Sequence, residues 1–236
     1  MINFIQFPPL SDANEDGLLA MGGQLTISAL VSAYSQGIFP WYNAGQPILW
    51  WSPDPRLVLF PSEMQVSRSL RKVIKRNEFQ LHINRDFDGV IQGCAWRGQT
   101  PQVGEPPATW ISNDMTEAYK ELYQAGYAHS IETWQDGQLV GGLYGLTLGS
   151  VFFGESMFSR ESNASKLALW GLCEWLLYKR FNIIDCQVTN DHLLSLGARE
   201  IPREDFMEHL ERINIDQPNP DFAEGSEAFF DLRRQE

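Results

Sequence analysis

The chain has 236 residues, 43% of them hydrophobic and 20% charged, which is ordinary globular usage with enough apolar material for a sizeable core. That composition excludes a disordered, collagenous or coiled-coil chain, and no apolar run reaches the ~18 residues of a membrane span. The formal net charge of −12 argues against a surface coated for nucleic acid. Three cysteines (Cys94, Cys173, Cys186) form no CxxC pair. The opening MINFIQFPPLSDANEDG has neither a basic start nor a long apolar stretch. Reduced thiols in a cytoplasmic protein are therefore expected, without a disulfide scaffold.

The first ~55 residues are rich in Gly, Pro and aromatics. They contain one predicted helix, Thr26 to Gln36, stopped by Gly37. The stretch from Trp51 to Pro61 carries three prolines and reads as a crossover between two lobes. The expected division is a small N-terminal domain over 1–60 and a larger α/β domain over 61–236. Next comes a basic island: Arg68, Arg71, Lys72, Lys75 and Arg76, with no acid from Met64 to Asn77. Its i, i+3, i+4, i+7, i+8 spacing puts the five cations on one helix face, opposite Val66, Leu70, Val73 and Ile74. Further helices are predicted near Asp86–Ala95 and from Ser112 or Asn113 to Gly126. The strand Ala128–Trp134 leads into Asp136-Gly137, a tight hairpin signal. Strands follow at Gln138–Leu148 and Ser150–Gly154, then a long apolar helix over Ser162–Lys179 and a strand over Asn182–Gln187. Short helices at Asn190–Ser195 and from Pro202 close the order. Strand, helix and strand from Ser150 to Gln187 form a βαβ unit, so a parallel pair is expected within a mixed sheet.

Ligands of open α/β sheets sit beyond the carboxyl ends of strands. Two such ends carry polar groups that a core would not choose. Glu155 closes the apolar run Phe152-Phe153-Gly154. Asp185 and Gln187 end Ile183-Ile184 and, two residues apart, share a face that Cys186 does not. A buried carboxylate beside a buried amide is costly unless both are hydrogen-bonded. The cluster is either a satisfied structural network or the polar floor of an apolar pocket. Several of the eight tryptophans sit in loop contexts. Trp41, Trp50, Trp51 and Trp110 either stack on a planar ligand or cement one lobe to the other. Trp170 and Trp175, in the long apolar helix, read as core. The basic helix is a solvated face, a membrane-surface helix or a phosphate-binding face. Its Val, Leu and Ile lack the bulky aromatics of the membrane case. Neither GxxxxGK[ST] nor GxGxxG occurs, the four histidines lack metal-ligand spacing, and Ser156 lacks the second glycine of a GxSxG elbow.

Eleven blocks carry a family resemblance: GLLAMGG (17–23), GIFPWY (37–42), ILWWSPDPR (48–56), TWIS (109–112), HSIE (129–132), GGLYG (141–145), FFGESMFSR (152–160), NASK (163–166), IDCQV (184–188), ND (190–191) and LGAREIPR (196–203). Through them the sequence resembles the bacterial leucyl/phenylalanyl-tRNA–protein transferases over nearly its whole length. The loop from Ala95 to Ala108 and the tail after about Leu210 match least. The resemblance implies an α+β fold, in which a small N-terminal domain precedes a larger acetyltransferase-like (GNAT-like) domain with a mixed sheet. It implies transfer of Leu, Phe or Met from aminoacyl-tRNA to the α-amine of proteins that begin with Arg or Lys, marking them for N-degron degradation. No metal and no other cofactor is implied.

Carried over position by position, the resemblance assigns Trp41 and Trp110 to the terminal adenosine and Glu155 to the reacting end. It assigns Asp185 and Gln187 to the attacking amine, with Asn190 beside them. Leu143, Phe152, Met157, Leu169, Leu172 and Ile184 form the side-chain pocket. Arg68, Arg71, Lys72, Lys75 and Arg76 grip the tRNA acceptor region. In the mechanism expected from these roles, Asp185 polarises the Gln187 amide, whose carbonyl oxygen accepts an N–H of the incoming amine. Two rivals stand beside this reading. One is an acyl-CoA N-acetyltransferase, which the glycine-free stretch Arg160–Ser165 disfavours. The other is a non-catalytic RNA-binding module, which leaves Glu155, Asp185 and Gln187 unexplained. A monomer is expected, since no heptad or exposed apolar repeat is present.

Overall fold

The computed structural model describes residues 2–96, 111–211 and 217–233. The N-terminal part builds β1 (Leu18–Met21), α1 (Ile27–Ser35), β2 (Phe39–Pro40) and β3 (Leu49–Trp51). The strands form a three-stranded antiparallel sheet in the order β1-β3-β2. Helix α1 begins where Thr26 Oγ1 accepts the Ala29 N–H at 3.1 Å, satisfying one of the orphan donors of a first turn. It ends before Gly37, whose φ is +75°.

The proline-rich stretch is more than a crossover. It carries β4 (Arg56–Leu59), every residue of which is buried. Prolines 53, 55 and 61 flank this strand, where a missing N–H costs no ladder bond. Strand β4 belongs to the larger sheet with β5 (Gln80–Ile83), β6 (Ala128–Gln135), β7 (Gln138–Leu148), β8 (Val151–Ser159), β9 (Ile183–Gln187) and β10 (Arg199–Ile201). The order is β10-β4-β9-β8-β7-β6-β5. The β6–β7 hairpin turns at Asp136 (φ +50°) and Gly137 (φ +75°), both left-handed, as the twist of flanking strands favours. The sequence pattern does not announce β5 or β10; each is too short for its alternation to register.

Two helical layers cover the sheet. Helix α1, α3 (Phe87–Ala95) and α4 (Asn113–Gln124) contribute to the core on one face, with Tyr34, Phe87, Tyr119, Tyr144 and Phe153. On the other face α2 (Arg68–Arg76), α5 (Ala164–Tyr178) and α8 (Ser226–Arg233) contribute to a second core with Leu143, Phe152, Leu169, Leu172, Trp175 and Ile184. Trp175 is fully buried and Trp170 partly so, in keeping with a core role. Short helices α6 (Asp191–Leu194) and α7 (Arg203–Leu210) follow β9 and β10.

Strands β8 and β9 are parallel, joined through α5 as the βαβ reading expects, but they pair only from Val151–Phe153 to Ile183–Asp185. Beyond that point β8 stays with β7 and β9 stays with β4, so the sheet parts between them. Strand β8 also continues past Gly154, its predicted end, to Ser159. It does so across a bulge at Tyr144/Gly145 that resumes pairing with Ser156 and Met157. Glu155 therefore sits within a strand, at the mouth of the gap. The bulge needs a glycine: a Cβ on Gly145 would lie 2.1 Å from the Phe153 carbonyl oxygen and 2.6 Å from the Phe152 ring. Gly145→Ala is expected to cost roughly 1–3 kcal/mol by overpacking, read as a lower urea midpoint with an unchanged m-value.

Candidate active site

The gap between β8 and β9 opens into a cavity of about 360 Å³, within the usual size for a small-molecule site. Its apolar wall includes Leu143, Phe152, Met157, Leu169, Leu172 and Ile184, all six side-chain-pocket residues implied by the resemblance. Phe39, Pro40 and Trp41 form one rim, and Val188, Asn190, His192 and Leu193 another part of the lining. Trp41 is 42% exposed, whereas Trp50 is buried, its Nε1 donating to the Gly22 carbonyl at 2.8 Å. Trp51 Nε1 donates to the Trp41 carbonyl at 2.6 Å. Of the loop tryptophans described, Trp50 and Trp51 hold the small lobe together and Trp41 presents a face to the cavity. Trp110 lies outside the described residues.

The polar end of the cavity is the Glu155 carboxyl. Tyr34 Oη donates to its Oε1 at 2.6 Å and Tyr119 Oη to its Oε2 at 2.7 Å, while the two hydroxyls lie 2.5 Å apart. Three short oxygen–oxygen contacts in a ring need three protons, and two phenols supply two. The carboxyl supplies the third when protonated. Burial pushes the Glu155 pKa up to about 7, against the hydrogen bonds from Tyr34 and Tyr119 that lower it. The phenols themselves are raised well above their ordinary value, by burial first and by the Glu155 charge second. Sequence reasoning alone misses Tyr34 and Tyr119 as site residues. The available signal is a phenol on the buried face of an apolar helix, which requires a polar partner.

Gln187 closes the gap. Its Nε2 donates to Glu155 Oε1 at 2.8 Å, a side-chain bond where the β8–β9 ladder has ended. Among the described residues, no donor occupies its Oε1. Strict alternation would place Gln187 with Asp185, yet Gln187 lines the cavity with Ile184 and Cys186, and Asp185 does not. The cause is a left-handed backbone at Gln187, φ +66°, beside a register shift at Leu57/Val58. The expected polarising bond from Asp185 to the Gln187 amide is absent for the same reason. Asp185 is fully buried. Its Oδ1 accepts the Gln187 backbone N–H at 2.9 Å, and Arg56 takes both its oxygens, Nε to Oδ1 at 2.8 Å and Nη2 to Oδ2 at 2.6 Å. Asn190 lines the cavity, but its Oδ1 caps α6 by accepting the Leu193 N–H at 2.9 Å.

The five cations Arg68, Arg71, Lys72, Lys75 and Arg76 are all exposed on α2, and among the described residues none is in an ion pair. Ser67 caps the helix by accepting the Leu70 N–H, and Leu70 is its buried anchor. The first turn of α5, where a CoA enzyme would cradle a pyrophosphate, is already occupied. The Ala164 N–H donates to the Glu161 carbonyl at 3.1 Å and the Ser165 N–H to Ser159 Oγ at 3.0 Å. Among the described residues, no three His, Cys, Asp or Glu side chains converge as metal ligands. No described helix is long and apolar enough to cross a membrane.

Residues 58–211 match the family described as leucyl/phenylalanyl-tRNA protein transferase, and residues 23–54 match the N-terminal domain of the same family. A leucyl/phenylalanyl-tRNA–protein transferase of Syntrophus aciditrophicus is 57% identical over 86% of this chain and 83% of its own. Those of Nitrosospira multiformis and Pseudomonas fluorescens are 54% and 51% identical, covering 88% and 92% of this chain and 88% and 94% of theirs. Solved structures overlay more faintly. L-PGS from Bacillus licheniformis gives a TM-score of 0.37 at 10% identity, covering 68% of this chain and 50% of that one. The class is thus aminoacyltransferase. The chain belongs to the leucyl/phenylalanyl-tRNA–protein transferase family.

The raised Glu155 pKa has a thermodynamic sign. Between pH 4.5 and 7 the folded protein holds a proton that the unfolded chain has lost, so this group's contribution is complete at low pH and fades as pH rises to about 7. Relative to Glu155→Gln, which cannot ionise, the wild type is expected to lose roughly 2–3 kcal/mol across that window, measured by denaturant unfolding at several pH values.

Proposed function

We propose that this chain transfers Leu or Phe, with tolerance for Met, from the 3′ end of aminoacyl-tRNA to the α-amine of proteins beginning with Arg or Lys. The product carries a new N-terminal peptide bond that marks it for the N-degron route. The protein acts as a cytoplasmic monomer. The observation that carries this reading is the apolar cavity in the parted sheet, with Glu155 and Gln187 joined across one end.

The donor is an ester, already activated, so the residues have mainly to position an amine against its carbonyl. Trp41, with Trp110, holds the terminal adenosine, and the six apolar wall residues take the Leu or Phe side chain. Such a wall rejects charged side chains by desolvation and separates neighbours that differ by one methylene by only about 1–3 kcal/mol, hence the tolerance for Met. An α-ammonium has a pKa of roughly 7.7–8.0, and a carboxyl near 7 is well matched to receive its proton. The ionised form of Glu155 takes that proton, while Gln187 Oε1 accepts a second N–H and turns the lone pair toward the ester carbon. The C–N bond forms, the bond from carbonyl carbon to 3′-oxygen breaks, and the proton on Glu155 passes to the departing 3′-oxygen; the carboxylate so regenerated takes the second proton that the new amide nitrogen sheds and releases it to water. Tyr34 and Tyr119 hold the carboxyl in place in both protonation states. The cationic face of α2 grips the acceptor region of the tRNA through its phosphates, a contact that positions without reading sequence.

The test follows labelled Leu from Leu-tRNA into two peptides that differ only in their first residue, Arg or Met. Label is expected in the Arg peptide alone, abolished by RNase treatment of the donor and reduced at least tenfold by Gln187→Ala. Label in neither peptide, with Leu-tRNA still bound, would leave an RNA-binding protein on this fold. Alanine at Arg71 or Lys75 is expected to weaken Leu-tRNA binding without lowering the maximal rate. Each neutralisation should reduce the slope of log affinity against log salt by about 1, which filter binding across a salt series would show.

A further inference from the structure

Arg56 opens β4 and is fully buried. Its guanidinium works in three directions at once. Nε and Nη2 fork onto Asp185, and Nη1 donates to the Gly37 carbonyl at 3.2 Å. The rings of Phe39 and Phe206 each lie 4.8 Å from its central carbon. Only a planar five-donor fork can satisfy such a set; an ammonium is a single point. The partners lead to different parts of the cavity lining. Gly37 opens the segment that places Phe39, Pro40 and Trp41 on the rim. Asp185 holds the backbone N–H of Gln187, whose left-handed turn aims its amide at Glu155.

We infer that Arg56 is a positioning residue for the transfer reaction. Through Gly37 and Asp185 it fixes the spacing between the Phe39–Trp41 rim and the Gln187–Glu155 end, so that the ester bound at one meets the amine held at the other. This rests on the function proposed above. A purely structural pair makes a poor rival account, because well-packed apolar residues of similar volume commonly stabilise a core as well as a buried ion pair does. Two charges kept in the dry interior at the junction of rim and reacting end are better explained by the geometry they hold. Asp185 then acts behind the wall, through the Gln187 backbone, and touches no substrate.

The test uses two variants of the full chain. Arg56→Lys keeps the charge and loses the fork. The double variant Arg56→Met, Asp185→Leu removes both charges, so no unpaired ion is buried and folding is preserved. Thermal melting is compared with the kinetics of Leu transfer from Leu-tRNA to an Arg peptide. Both variants are expected to lose at least tenfold in kcat, since misplacements of about 1 Å cost that much or more. Their KM for Leu-tRNA should stay within threefold of wild type, and the double variant should melt near the wild-type temperature. A double variant that melts normally with kcat within twofold of wild type would overturn the inference, as would losses confined to KM in either variant. Should Arg56→Lys fail to fold, the double variant decides alone. A wild-type chain that transfers no Leu at all would instead overturn the functional reading beneath it.

Discussion

One guanidinium and one carboxylate, both wholly removed from water, tie the molecule together at the place where its large sheet comes apart. Isolated, either charge would be intolerable in the interior. Together, with Nη1 of Arg56 on a carbonyl and the faces of the guanidinium against two rings, each of its nitrogens and both carboxylate oxygens have a partner. Strands β8 and β9 leave each other after three paired residues. The Arg56–Asp185 pair joins β4 to β9 behind one lip of that opening, and Asp185 there holds the backbone of Gln187, whose side chain reaches across to Glu155 on the other lip. The Phe39–Trp41 rim, through Gly37, and the polar end, through Gln187, both lead back to this join.

The polar end follows a second constraint, the count of protons. Glu155 faces two phenols and an amide. The short contact between the phenols closes a ring that favours the neutral carboxyl, while the hydrogen bonds each phenol sends to it favour the ionised one. A group so balanced titrates near neutrality, where acid–base chemistry on an amine is most useful. The apolar wall opposite works in the converse way. Its six side chains offer no hydrogen bonds, only shape and dryness.

Local features are legible in the sequence because they are local. Thr26, Ser67 and Ser112 each cap the helix expected after them, and Asp136-Gly137 makes the expected hairpin. The five cations, by their spacing, share an exposed face on α2, and the βαβ reading leads to the parallel pair. The apolar wall residues, carried over by resemblance, converge in one cavity. What stays hidden depends on partners far along the chain. Arg56 sits among prolines and reads as a linker residue until Asp185 is set against it. Tyr34 and Tyr119 read as core until Glu155 arrives between them. The bond expected from Asp185 to the Gln187 side-chain amide is missing for a subtler reason. Period-two alternation assumes a regular strand, and one left-handed residue at its end moves Gln187 to the other side of the wall.

The join between Arg56 and Asp185 spans 129 positions of sequence. Strand β4 emerges early in synthesis, but its neighbours in the sheet, β9 and β10, come from the last third of the chain. Contacts of such separation fold slowly, because the entropy of closing the long loop is lost before any pairing rewards it. The nascent chain therefore carries a buried-type cation without its counterion, and an unpaired apolar strand, until residues near 187 have left the ribosome. The cavity cannot be assembled stepwise as the polypeptide lengthens, because its lining runs from Phe39 to Leu193 and is complete only once the last third of the chain has emerged.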